Sequence, residues 1–247
     1  NMSGVNSINW ARIIFQIVYY FYSFLKLNEK KINYAVPTGN FGDIYAGYIA
    51  KKMGLPIERL IVATNENDIL QRVINKGIYK PSKVRASISP SMDIQISSNF
   101  ERLLFDVVNS KDLEVKKLMH KLETKGFFKL TPKQKKIIQK DFSAFKVTNT
   151  ETKKIIKRIY LKHNFFIDPH TATAFYAAQK IISNNPCVVV GTAHPYKFLE
   201  TMKAVTGKQI KKPSQVTKLM SGKEKYDILI NSTNMVKKYI LEKQYED

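Results

Sequence analysis

Val36-Pro37-Thr38-Gly39-Asn40-Phe41-Gly42-Asp43 joins an apolar run that begins at Ile32 to a helical pattern through Ile44, Gly47, Tyr48 and Met53. Strand, glycine turn, helix is a layout that holds a phosphate. Amides freed by the turn and by the first helical turn point at one spot, and the helix dipole favours negative charge there. Glycine keeps side chains from standing between an anion and those amides. Spacing alone leaves two readings open. The stretch lacks the Gly-Lys-Ser/Thr ending of a Walker loop, and Gly39 and Gly42 miss the offsets of the dinucleotide fingerprint. A plain strand-to-helix turn uses glycine as well.

Downstream, Gly54 and Pro56 stop the helix, and Leu60-Ile61-Val62-Ala63 reads as the next strand. A strand-helix-strand unit predicts parallel neighbours with a right-handed crossover. Ligands in such sheets sit beyond the strand carboxyl ends, where Thr38 to Gly42 and Thr64 to Asn67 lie. Upstream, Trp10 to Leu27 carries apolar residues at 10, 13, 14, 17, 18, 21, 24 and 25, which predicts a helix with one apolar face. Arg12, Gln16, Ser23 and Lys26 interrupt it, which argues against a membrane span.

From Asn75 to Ile96 the pattern loosens into a loop bearing serine and proline. Ser98 with Glu101, Thr131-Pro132 with Gln134, and Thr148 with Glu151 are helix-start signals, so 99–162 reads as a highly charged helical insert at the sheet edge. Asp168-Pro169 opens a helix predicted to run to about Ser183. Pro186 to Val190 is an apolar strand suited to the middle of a parallel sheet, and it empties into Gly191-Thr192-Ala193-His194 with Pro195 starting the next helix. Residues 207–247 form a basic helical carboxyl-terminal segment.

Composition is that of a globular α/β chain: 247 residues, 44% hydrophobic and 25% charged. A lone cysteine, Cys187, rules out an internal disulfide framework and fits a reducing compartment. The net charge of +21 has two readings, an anionic partner such as nucleic acid or a lysine bias spread over solvated faces. The lysines are scattered and not gathered with aromatics into one stripe, which favours the second. Four histidines and one cysteine without ligand spacing give no metal site, and no serine–histidine pair makes a defensible triad.

The wording of the central stretch, Pro37-Thr38-Gly39-Asn40-Phe41-Gly42-Asp43, resembles the phosphate-gripping loop of the threonine synthase family, which uses pyridoxal phosphate. Asn6-Ser7-Ile8-Asn9-Trp10-Ala11-Arg12 precedes it in family order. Ala63 to Asp68, Ser89-Pro90-Ser91-Met92-Asp93 with Ser97 to Arg102, Asp168 to Ala172 and Gly191-Thr192-Ala193-His194-Pro195 follow. The resemblance runs from residue 6 to about 206, is nearest to the longer form of fungi and many bacteria, and thins out in the lysine-rich tail.

The resemblance implies a parallel-sheet α/β fold of the tryptophan-synthase-β type, in part, with 1–98 and 163–206 holding the cofactor and 99–162 inserted. It implies a cytoplasmic enzyme that turns O-phospho-L-homoserine and water into L-threonine and phosphate. Gly39, Asn40, Phe41 and Gly42 would hold the cofactor phosphate, and Thr192 would touch the pyridine nitrogen; a threonine in a Gly-Thr-Ala turn also has a plain structural reading. Asn6, Ser7, Asn9 and Arg12 would lie near the substrate phosphate and carboxylate, against a helix cap at Ser7 and a surface arginine as the alternative. Asp43 suits a helix-start acid, and His170 and His194 suit structural hydrogen bonding.

In the family, the Schiff-base lysine and the serine/threonine-rich substrate loop lie upstream of the Asn-Ser-Ile-Asn segment. No lysine here sits in a matching motif, so no catalytic residue is named. The chain looks like the carboxyl-terminal portion of the enzyme, inactive alone and needing an amino-terminal half in cis or as a separate chain. The rival readings are a basic nucleic-acid-binding module, a related phospho-lyase using the same cofactor, and a decayed or split gene product.

Overall fold

The computed structural model describes residues 6–224 and 226–243, and the chain divides into a unit spanning Val5–Ile210 and a carboxyl-terminal unit from Lys211. The expected domain ends at 1–5 and 244–247 lie outside the described residues.

The larger unit is built on a four-stranded parallel sheet. Its central strand β1 (Ile32–Pro37) is buried at every position, the pattern of a strand covered on both faces. It lies between β2 (Ile57–Thr64) and β6 (Cys187–Val189), and β5 (Phe142–Lys146) pairs with the far side of β2, giving the order β5-β2-β1-β6. Proline ends β1 without breaking the ladder, because Thr38 N–H donates to the Ala63 carbonyl at 2.8 Å just past it.

Alternate residues of these strands feed opposite layers. Tyr34, Val36, Leu60 and Val62 face α1 (Trp10–Leu27) and α2 (Gly42–Lys52), whereas Ala35, Ile61 and Ala63 meet Ala174 and Ala177 of α8 (Pro169–Ala178). Helices on both faces of a parallel sheet are the arrangement expected for strands joined by crossovers. Gly47 lets α1 and α2 approach closely, since a β-carbon there would stand 2.5 Å from the Tyr20 ring.

Several sequence expectations need correction. The stretch 99–162 is not wholly helical: between α4 (Phe100–Val107), α5 (Asp112–Lys125), α6 (Pro132–Asp141) and α7 (Asn149–His163) it supplies β5 and the short β4 (Phe128–Lys129). β4 pairs antiparallel with β3 (Ile78–Tyr79). β5 follows α6 with no turn residue between them, and Phe142 and Ala144 point into the core. Of the helix starts, Thr131/Gln134 and Thr148/Glu151 form full capping boxes. Ser98/Glu101 does not: α4 begins after Asn99, whose side-chain oxygen instead accepts from Arg102 Nε at 3.0 Å.

α8 is capped by Asp168 and stops at Ala178 rather than near Ser183. The residues beyond it are drawn to β2, where the Glu58 carboxylate accepts from Ser183 Oγ at 2.7 Å and Asn185 Nδ2 at 2.8 Å. β6 is half-buried and pairs only with β1 among the described residues, so it is an edge strand here and not a middle one. α1 has two apolar faces, not one. Ile13 and Tyr20 are fully buried, while Ile14, Val18 and Leu25 are exposed; neighbours about 100° apart on a helix fall on different faces. α9 (Leu199–Thr206) packs on α7 and α8 through Met202, with Ile155, Ile156 and Ala172.

The carboxyl-terminal unit carries α10 (Ser214–Met220) and α11 (Thr233–Lys243), and Lys238 pairs with Glu242 within α11. Among the described residues no helix is long and apolar enough to cross a membrane.

Candidate functional site

A cavity of about 490 Å³ opens beyond the carboxyl ends of β1 and β6, within the size range of small-molecule sites. Its floor is the turn 38–42. Thr38 Oγ1 donates to the Val36 carbonyl at 2.7 Å and closes the turn. The next two carbonyls are occupied from behind, Gly39 by Ser97 Oγ at 3.0 Å and Asn40 by Asn99 N–H at 3.1 Å. Among the described residues no protein acceptor takes the N–H groups of Gly39, Asn40 or Phe41. The first N–H groups of α2, from Gly42 on, are free for the usual helical reason.

Phe41 holds this arrangement with a left-handed backbone, φ 64°. Its ring is 1% exposed and packs against Phe100 and Phe142 at centroid distances of 5.4 and 5.5 Å. Burying a phenylalanine contributes roughly 1.5–3 kcal/mol, against roughly 1–2 kcal/mol for left-handed backbone. Packing therefore holds the strained conformation, and the αL residue turns successive amides toward one point.

Asp43 would repel an anion here, but its carboxylate is engaged. Burial raises its pKa, and Tyr20 OH donates to its Oδ1 at 2.9 Å. Among the described residues one lysine or arginine lines the cavity: Lys197, on the single turn of 3-10 helix Pro195–Phe198, which His194 Nδ1 caps by accepting from Tyr196 N–H at 3.1 Å. Among the described residues no carboxylate pairs with Lys197. Thr192, just beyond β6, is exposed on the cavity wall, and its hydroxyl has no hydrogen-bond partner among the described residues.

The opposite wall is a short 3-10 turn, Pro90–Met92, tied to the start of α8. The His170 ring is 2% exposed; its Nε2 accepts from Ser91 N–H at 3.3 Å, and its Nδ1 lies 3.0 Å from Asp168 Oδ1. An acceptor at Nε2 puts the ring proton on Nδ1, facing the carboxylate. Burial pushes the Asp168 carboxyl up, and hydrogen bonds from His170 and Thr171 outweigh it, for a net lowering.

The chain is similar to known proteins over most of its length. A family model described as threonine synthase, C-terminal, matches residues 171–240. The threonine synthase of Saccharomyces cerevisiae is 42% identical over 92% of the chain and 51% of the relative, and that of Pseudomonas aeruginosa 41% identical over 96% and 52%. Among solved structures, pyridoxal-phosphate-bound threonine synthase from Brucella melitensis superposes with a TM-score of 0.91 at 46% identity, covering 96% of this chain and 52% of that one. The chain is a homologue of the threonine synthases. It spans about half the length of the curated relatives it matches.

Against the residues that the threonine synthase resemblance singled out, the structure brings Gly39, Asn40, Phe41, Gly42, Thr192 and Ser7 to one cavity. Ser7 is not a helix cap; a β-carbon on Gly42 would stand 3.1 Å from its Cβ. Asn6, Asn9 and Arg12 do not line the cavity. Asn6 Oδ1 accepts from Ile8 N–H at 3.0 Å, Asn9 caps α1 through Ala11 N–H, and Arg12 is exposed on the first turn of α1. Gln16, Tyr19 and Lys197 are wall residues the sequence reading missed. Lys197 lies two residues past the string Gly191 to Pro195, so its proximity to Thr192 and His194 was the available signal; Gln16 and Tyr19 gave none. Among the described residues no group of histidine, cysteine and carboxylate side chains suits a metal ion.

Proposed function

We propose that this chain is the cofactor-holding portion of a threonine synthase, a pyridoxal-phosphate-dependent lyase converting O-phospho-L-homoserine and water to L-threonine and phosphate. The observation that carries it is the turn itself: amides of Gly39, Asn40 and Phe41 without protein acceptors, at a helix start, where a β-carbon on Gly39 would stand 2.8 Å from the Ser91 carbonyl oxygen. A cradle of backbone donors with no room for a side chain fits a phosphate.

Pyridoxal phosphate, when bound, supplies the ring that stores carbanion charge during elimination and water addition. The chain's own residues bind and orient. Gly39 to Gly42 hold the phosphate, and Thr192 donates to the ring nitrogen, where a hydroxyl is too weak an acid to sustain a positive ring. Lys197 adds the positive charge that a second, substrate phosphate requires. Ser7, the member of the Asn6 to Arg12 segment that lines the cavity, supports a substrate contact from that segment. The catalytic lysine that moves protons belongs to an amino-terminal half, in cis or as a separate chain, and the reading includes a cytoplasmic location, supported by the lone cysteine.

The test is binding of pyridoxamine 5′-phosphate, which lacks the aldehyde and so does not condense with surface lysines. Saturable binding that inorganic phosphate displaces is expected. Absence of binding, or binding that phosphate leaves unchanged, overturns the reading.

A further inference from the structure

We infer that the outward face of α1 is the surface on which the upstream half of a full-length threonine synthase packs, and that this contact completes the cavity wall at Gln16 and Tyr19. The inference rests on the functional reading above.

The face is an exposed apolar strip. Leu25 is 72% exposed, Phe15 70%, Tyr19 and Tyr22 62% each, Val18 56% and Ile14 47%. At about 100° per residue these positions fall within an arc of about 140° that runs along the helix. The opposite face, with Ile13 and Tyr20, is already packed in the core. A helix apolar on both its packed and its outward faces, with only a narrow polar strip at Arg12, Gln16 and Ser23, is one covered on both sides, and a contiguous exposed patch of this kind marks an interface.

Two observations select the occupant. The face runs into the cavity: Tyr19 and Gln16 line it, and the buried Gln16 Oε1 has no hydrogen-bond partner among the described residues. Whatever covers α1 therefore brings a donor to the cavity edge. The curated relatives and solved structures are matched over only about half their length, which leaves a segment of comparable size to be packed. A second copy docked by its own α1 would cover the apolar strip but bring no lysine to the cavity. The upstream half meets both needs in one contact, since the segment that supplies the proton-moving lysine must reach this same edge.

Hydroxyl-radical footprinting read by mass spectrometry, on the protein as its source makes it and with intact mass taken in the same run, tests the inference. The expected result is a mass well above 28.5 kDa, with Phe15, Tyr19 and Tyr22 labelled as slowly as buried Phe100 and far more slowly than Phe165, which is 62% exposed. That protection is independent of protein concentration. Labelling at the Phe165 rate in a protein that carries upstream sequence overturns the inference while leaving the functional reading standing. Protection that grows with protein concentration identifies a second copy as the occupant and also overturns it. A mass equal to that of this chain, with no second chain co-purifying and with Phe15, Tyr19 and Tyr22 labelled at the Phe165 rate, overturns the inference, while the cofactor-holding reading is decided separately by the pyridoxamine 5′-phosphate titration.

Discussion

The carbonyl oxygen of Ser91 stands 2.8 Å from the point where a β-carbon on Gly39 would lie. The obstacle is backbone, held from behind by the bond from Ser91 N–H to His170, so it cannot swing aside as a side chain would. Gly39→Ala must therefore displace the turn or the Pro90–Met92 segment, at a cost of about 1–3 kcal/mol for an overpacked site. Equilibrium unfolding checks the stability loss. Titration with pyridoxamine 5′-phosphate checks the expected fall in affinity, and unchanged affinity would show that the cradle lies elsewhere.

His170→Ala removes the acceptor of the part-buried Ser91 amide and the ring donor to Asp168 Oδ1, which keeps the backbone N–H groups of residues 170 and 171. The unpaired Ser91 amide and the lost buried ring predict a destabilisation of about 2–4 kcal/mol, with faster hydrogen exchange at the Ser91 amide. His170→Gln, whose side-chain oxygen can still accept from Ser91, should restore much of the exchange protection. Equal exchange rates in both variants would contradict the tether.

Glu58 gives a pH signature. Hydrogen bonds from Asn185 and Ser183, with Asn33, hold its carboxyl down at about 2 from an ordinary 4.5. A depressed folded pKa contributes stability that is fully present above the unfolded value and is lost as pH falls through the folded one. Thermal midpoints measured from pH 5 to pH 2 should thus fall more steeply in the wild type than in Glu58→Gln, which lacks the titration. Parallel curves would remove Glu58 as the tie between β2 and the 183–185 segment.

Two threonine and serine substitutions separate a true cap from an apparent one. Thr148 Oγ1 accepts from Glu151 N–H at 3.2 Å, and Thr148→Ala should cost about 1 kcal/mol. Ser98 caps nothing, so Ser98→Ala should stay within about 0.5 kcal/mol of wild type. Denaturant midpoints distinguish the two outcomes.

The contrast shows where sequence was legible. The Thr131 and Thr148 boxes are local, with both partners three residues apart, and nothing nearby competes. At Ser98 the same pattern is pre-empted by Asn99 and Arg102, a pairing that depends on where α4 begins. β1, the glycine turn and α2 read directly because a mostly apolar run, glycine and a helical period occur in succession. β5 did not, because its partner is β2, far away in sequence, and α6 runs into it without a turn signal. The periodicity of α1 located the helix but not its packed side, since apolar residues cover most of its circumference. Thr192 could be tied to the cavity by its motif; Gln16 could not, because only the crossing of α1 over α2 brings it there.

The central claim is that the cavity beyond β1 and β6 serves threonine synthesis. The most direct measurement is phosphate release from O-phospho-L-homoserine, with L-threonine quantified in the same sample, using the protein as its source makes it. The account predicts equal amounts of phosphate and threonine, dependent on pyridoxal phosphate. A protein carrying the upstream half and saturated with pyridoxal phosphate that releases neither product would contradict it.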